Sequence, residues 1–145
     1  MKRDRYNLSV AVFVLLRRGD EVCMIRRSGT GWMDGFFSLP AGGLEEGETL
    51  ANAAAREAKE EIGMIITAQN LQLSHSMHVW TENRSWLGHF FSCTEWQGAP
   101  YIAEPEKHSE LRWESLHDLP ADTIPYVRQA IHHIVTGEAY SEHGW

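Results

Sequence analysis

Residues 42–64 run GGLEEGETLANAAAREAKEEIGM, a glycine-rich acidic segment that passes directly into a helix-forming one. Gly42, Gly43 and Gly47 interleave with Glu45, Glu46 and Glu48, which marks 41–48 as a loop. From Thr49 to Ile62 alanine dominates, at positions 51, 53, 54, 55 and 58, and alanine is the strongest helix former. Gly63 follows where a helix end favours glycine, so the pattern predicts a helix over 49–62. Glu57, Glu60 and Glu61 stand at i, i+3 and i+4, spacings that place side chains on one helix face. Like charges so placed cost about 0.2–0.5 kcal/mol per pair. They also lie at the C-terminal end, where the helix dipole disfavours negative charge. Arg56 and Lys59 offset only part of this. A hard divalent cation such as Mg²⁺ resolves the conflict, because Mg²⁺ takes a few carboxylate oxygens together with water and substrate phosphates. Glu48 and the carbonyls of Gly42 and Gly43 precede the helix as further oxygen donors. The competing explanation is a solvated acidic face. The small alanine face on the other side, which implies close packing, and the acidic loop feeding the helix both favour metal binding.

Charge divides the rest of the chain. Residues 1–41 carry a net +3, residues 42–64 a net −4 and residues 65–145 a net −6, for −7 in all. That balance disfavours stable nucleic-acid binding, which normally needs a basic surface. The 145 residues, 43% apolar with six Trp, suffice for one domain over 1–145 with a sizeable core. No run approaches the ~20 apolar residues of a membrane helix. The basic start and the short apolar run Val10–Leu16 lack a small-residue cleavage site, so a cytoplasmic protein without membrane attachment is expected. Cys23 and Cys93 sit in apolar runs and read as buried reduced thiols, and the eight His show no zinc-ligand spacing.

Around the central helix the pattern predicts strands at Ser9–Leu16, Glu21–Arg26, Phe36–Leu39, Met64–Thr67, Leu71–Trp80, Ser85–Thr94 and Glu110–Glu114. A second helix is expected over Ile124–Thr136, with Pro125 tolerated in its first turn. Hairpins predominate and helices are interspersed, so the fold class is α+β, or an α/β sandwich with a mixed sheet.

The spacing Gly42, five residues, Glu48, seven residues, Arg56-Glu57-Ala58-Lys59-Glu60-Glu61-Ile62-Gly63-Met64 resembles the Nudix box with every fixed position filled. The approach Leu39-Pro40-Ala41-Gly42-Gly43 and the later Trp113 and Leu119-Pro120 before a helix are also similar to that family, so the likeness spans most of the chain. The resemblance implies an α/β/α sandwich with a mixed sheet and a loop–helix–loop metal site. It implies hydrolysis of a nucleoside diphosphate linked to another group. By position, Glu57, Glu60 and Glu61 and the Gly42 carbonyl would bind Mg²⁺ or Mn²⁺. Arg56 would orient the glutamates, and Glu48 and Gly43 would support Arg56 or the metal shell. The general base would be Glu57, Glu60 or an acid on a loop outside the box.

Subclass signatures narrow the substrate. The Pro typical of ADP-ribose hydrolases is absent between Pro40 and Pro100, and no Tyr lies between Tyr6 and Tyr101 where dinucleoside-polyphosphate hydrolases carry one. What remains resembles the MutT-like group: a (d)NTP pyrophosphohydrolase releasing NMP and pyrophosphate, oxidised nucleotides included. Sugar-nucleotide or ADP-ribose hydrolysis is the alternative within the enzyme class, and a non-catalytic nucleotide-sensing module the alternative outside it. Arg26 and Arg27 are candidate phosphate contacts. Trp32, Phe36, Trp80, Trp86 and Phe90 are candidates to stack on a base, and Glu104 and Glu106 to complete the metal site or act as base. The aromatic tail Tyr140–Trp145 is the candidate contact of a homodimer.

Overall fold

A computed structural model describes residues 3–145. The order is β1 (Ser9–Arg18), β2 (Glu21–Arg27), β3 (Phe37–Ser38), β4 (Ala41–Gly43), α1 (Leu50–Ile62), a 3₁₀ turn (Ala68–Asn70), β5 (Gln72–Thr81), β6 (Arg84–Cys93), β7 (His108–Ser115), α2 (Pro125–Thr136) and β8 (Tyr140–His143). Among the described residues these strands form one mixed sheet, β3-β2-β1-β6-β5-β8, with β4 beside β1 and β7 beside β2.

β1 is the axis of the sheet. Its run from Val12 to Leu16 is buried on both faces, as a near-continuous apolar strand covered on two sides must be. Alternation divides it. Val12, Val14 and Leu16 pack with Ala53, Ala54, Ala58 and Ile62 of α1, while Phe13 and Leu15 pack with Tyr126, Val127, Ala130 and Ile131 of α2. The result is the expected three-layer α/β/α sandwich. β6 runs parallel to β1, with Trp86 opposite Ser9 and Phe90 opposite Phe13. β5 and β6 form a hairpin. Its two-residue turn, Glu82-Asn83, has both residues at positive φ, 53° and 63°, as the type I′ turn matched to strand twist requires.

Three segments differ from the sequence pattern. Met64–Thr67 is not a strand. Met64 and Ile66 are buried and Ile65 is exposed, so the alternation is real, but the backbone has no ladder partner and anchors the exit of α1. Ala41–Gly43, expected as loop, pairs antiparallel with β1, Gly42 opposite Val12. The tail residues Tyr140–His143 add a parallel strand to the edge of β5. The Trp145 ring then lies 4.6 Å from His78 and 5.3 Å from Trp80, its Nε1 donating to the His78 carbonyl at 3.0 Å. Among the described residues no helix is long and apolar enough to cross a membrane.

Candidate active site

Both ends of α1 are fixed by local chemistry. The Thr49 hydroxyl accepts from the Asn52 amide at 3.1 Å, and Gly63 closes the helix at φ 66°. Between them Arg56 collects the acids. Its guanidinium donates to Glu48 twice, at 2.8 and 3.0 Å, to Glu57 at 2.7 Å, to the Gly43 carbonyl at 3.0 Å and, less closely, to Glu60 at 3.4 Å. The fork geometry of guanidinium is what allows one side chain to hold the loop and the helix at once. Glu48 is held below the usual carboxylate range, chiefly by its hydrogen bond from Arg56.

Glu57 is 7% exposed, and burial raises its pKa against the opposing pull of Arg56. A Cβ at Gly42 would stand 2.0 Å from the Glu57 Oε1, so only glycine lets the strand pass the carboxylate. Glu61 accepts from the Ala41 amide at 2.9 Å. Burial first, then the charges of Glu57 and Glu104, push its pKa up to about 8. Glu104 reaches this cluster because its loop is tied to the end of α1: Tyr101 N donates to the Ile62 carbonyl and Ala103 N to that of Glu61, both at 3.1 Å. No three of these carboxylates already converge as ion ligands among the described residues; the cation among them is Arg56.

Ala41, Gly42, Gly43 and Glu61 also line a cleft of about 500 Å³. Phe13, Trp32, Trp86 and Tyr126 give it aromatic walls. Trp86 meets Tyr126 edge-on with centroids 5.1 Å apart, and Trp32 stacks on Tyr126 at 6.5 Å. Arg27 enters the cleft, its guanidinium 4.9 Å from the Trp32 ring and bonded to the Trp32 carbonyl at 2.9 Å.

Of the sequence candidates, Arg27, Trp32 and Trp86 line the cleft and Glu104 lies by the carboxylates. Arg26 does not join them. It is clamped between Glu110 at 3.1 Å and Asp122 at 2.7 Å over the Phe37 ring, because adjacent strand residues point to opposite faces. Phe36 faces a separate surface groove with Leu116, Leu119 and Pro125. Phe90 is core, Trp80 packs with the tail, and Glu106 is exposed outside the cleft. Both cysteines are free and buried, and burial pushes the Cys23 thiol up to about 12, which makes it inert. Sequence reasoning missed Tyr126, Glu82, Arg84 and His108, all in the cleft wall. The Glu82-Asn83 turn, needing two left-handed residues, was the one local signal among them.

The profile of the NUDIX domain matches residues 5–134. The NAD-capped RNA hydrolase NudC of Pseudomonas putida (strain GB-1) is 31% identical over 118 residues, 81% of this chain and 40% of that protein. The chain therefore spans about 40% of the length of the NudC relatives. The 8-oxo-dGTP diphosphatase of Escherichia coli (strain K12) is 29% identical over 124 residues, 86% of this chain and 92% of that protein. The crystal structure of a MutT NUDIX hydrolase from Burkholderia pseudomallei shares the fold at a TM-score of 0.79 and 23% identity, covering 88% of this chain and 98% of that one. With a profile match over most of its length, and the box acids gathered on Arg56 beside Gly42, the chain belongs to the NUDIX family.

Proposed function

We propose that this chain is a divalent-metal-dependent hydrolase of phosphoanhydride bonds. Its substrate is a nucleoside triphosphate, oxidised forms included, cleaved to NMP and pyrophosphate. The observation that carries this reading is that an aromatic-walled cleft reaches the carboxylate cluster, lined there by Glu61 of α1 and by Ala41, Gly42 and Gly43 of β4. A polyphosphate at the carboxylates places its base within reach of the aromatic walls. The similarity to the 8-oxo-dGTP diphosphatase over 92% of that protein's length supports a nucleoside triphosphate substrate.

The donor set is all oxygen, which fits Mg²⁺ or Mn²⁺ rather than zinc. Glu57, Glu60, Glu61 and the Gly42 carbonyl would hold the ion. Bound there, it would neutralise phosphate oxygens and lower the pKa of a coordinated water. The chain's own residues prepare that chemistry. Arg56 locks the Glu57 carboxylate and ties it to Glu48. The Ala41 amide fixes Glu61. Glu57, Glu60 and Glu104 are the carboxylates placed to accept a proton from the attacking water, and Arg27 offers positive charge to the phosphates. The aromatic walls exclude water and stack on the base.

Glu57→Gln and Glu60→Gln are each expected to lower kcat by ~100-fold or more, the scale of losing a general base or an electrostatic group. Near-wild-type turnover in both folded variants would remove α1 from the mechanism. A panel of canonical and oxidised dNTPs, NTPs, ADP-ribose, sugar nucleotides and NAD-type dinucleotides, assayed with Mg²⁺, tests the substrate. A decisive preference for an NAD-type dinucleotide would favour a second reading, hydrolysis of the pyrophosphate of NAD-type compounds, which the 31% identity to an NAD-capped RNA hydrolase supports. No turnover of any member would favour a nucleotide sensor. Dimerisation is proposed through the exposed Tyr140 and Trp145 beside β8, and light scattering tests it.

A further inference from the structure

The polar groups of the cleft are unequal. Arg27 and Arg84 only donate hydrogen bonds, while Ser9, Ser38, Thr81, His108 and Tyr126 can do either. Two groups, when ionised, are acceptors without a donor: Glu61, which belongs to the carboxylate cluster, and Glu82. Glu82 sits in the β5–β6 turn at φ 53°, a conformation that a long side chain rarely adopts. Its Oε1 accepts from the Trp32 Nε1 at 2.9 Å, which links the exposed Glu82 carboxylate to the aromatic wall of the cleft.

The register places it at the end of the cleft away from the chemistry. Trp86, near the turn, lies opposite Ser9, and Gly42 lies opposite Val12. Three residues along β1, about 10 Å, offset those two levels of the cleft, and Glu82, in the turn, lies farther along than Trp86. A fixed negative charge at the far end repels phosphate and suits an uncharged base. Among the bases, guanine alone presents two adjacent donors on one edge, a ring N–H and an amino group. Adenine and cytosine pair a donor with an acceptor there, and thymine flanks one N–H with two carbonyls.

We propose that Glu82 is a specificity-determining residue whose carboxylate accepts from the ring N–H and amino group of a guanine-type base held between Trp32, Trp86 and Tyr126. The inference rests on the nucleotide reading of the cleft. It predicts an inversion. Glu82→Gln keeps an oxygen for the Trp32 indole but turns the second position into a donor, which matches adenine and opposes guanine.

The test measures kcat/KM for dGTP, dITP and dATP with Mg²⁺, and affinity for GMP and AMP by intrinsic Trp fluorescence, in wild type, Glu82→Gln and Glu82→Ala. Thermal melting checks the fold of each variant. Wild type is expected to favour dGTP over dATP, with dITP, which lacks the amino group, losing about 10-fold. The guanine-to-adenine ratio should fall by about 10–100-fold in Glu82→Gln, the worth of one bidentate base contact. In Glu82→Ala the preference for guanine should disappear without a gain for adenine. A ratio unchanged in both variants, or equal loss for every base, overturns the proposal. If wild type hydrolyses no nucleotide, the hydrolase reading fails, but GMP-over-AMP binding and its reversal in Glu82→Gln still decide the role of Glu82. Equal binding of GMP and AMP by wild type overturns it.

Discussion

At Gly42 a single hydrogen atom keeps β4 and Glu57 compatible. Gly42→Ala would drive a methyl group into the buried carboxylate, and at least a 10-fold loss of kcat is expected while β1–β4 pairing survives. Activity assay with circular dichroism checks both halves of that statement. His108 offers a different test. It is 4% exposed, and burial first, aided by Arg27 and Lys107, pulls its pKa down to about 4. The unfolded chain titrates near 6.5. Below that value the unfolded state takes up a proton that the fold refuses until about pH 4. Stability from this residue is therefore complete above pH 6.5 and declines as the pH falls toward 4. Chemical denaturation at pH 7 and pH 5 should show a loss on the order of 1–3 kcal/mol, and His108→Leu should flatten the difference. Residue by residue, the box was legible because helix spacing is local: Glu57, Glu60 and Glu61 are brought together by three and four positions. The choice between Arg26 and Arg27 was not, since it depends on how β2 pairs with β3 and β7, far along the chain.

At the scale of elements, α1 owes its precision to its two caps and to the alanines that let it approach β1 closely. Thr49→Ala removes the N-cap hydrogen bond and should cost about 1 kcal/mol. That corresponds to a Tm decrease of roughly 2–4 °C for a chain of this size, read by calorimetry. Gly63→Ala should cost more. The position needs a left-handed backbone, and its Cβ would meet the Tyr101 ring at 2.2 Å. The helices and long strands were legible because each repeats its period over eight or more residues. β3, β4 and β8 were uncertain or hidden, since two to four residues carry no period and gain strand geometry only from the neighbours they pair with. Met64–Thr67 shows the converse: alternating burial without a neighbour to bond.

For the whole molecule the net charge of −7 is a misleading guide to partners. Its densest part is gathered around Arg56, where a divalent ion would offset it and leave a surface receptive to polyphosphate. Mg²⁺ or Mn²⁺ at millimolar concentration is therefore expected to raise the Tm, because an ion that binds only the folded chain stabilises it. The shift should shrink in Glu57→Gln, and chelation should abolish hydrolysis. Scanning fluorimetry and activity read the two effects separately; an unchanged Tm would count against the ion site. The architecture was legible as a class, but the cleft was not, because its walls come from β1, the 28–35 segment, the β5–β6 turn, β6 and α2.

The division of the core by β1 has a consequence for how this protein can change. One face of the sheet packs the acid-bearing helix through the fully buried Ala53, Ala54 and Ala58, where a larger side chain would overpack the core. The other face, shared with α2, supplies Phe13, Trp86 and Tyr126 to the cleft wall. Mutational drift, or a laboratory library, confined to the α2 side would therefore explore new substrates while inheriting the hydrolytic apparatus intact.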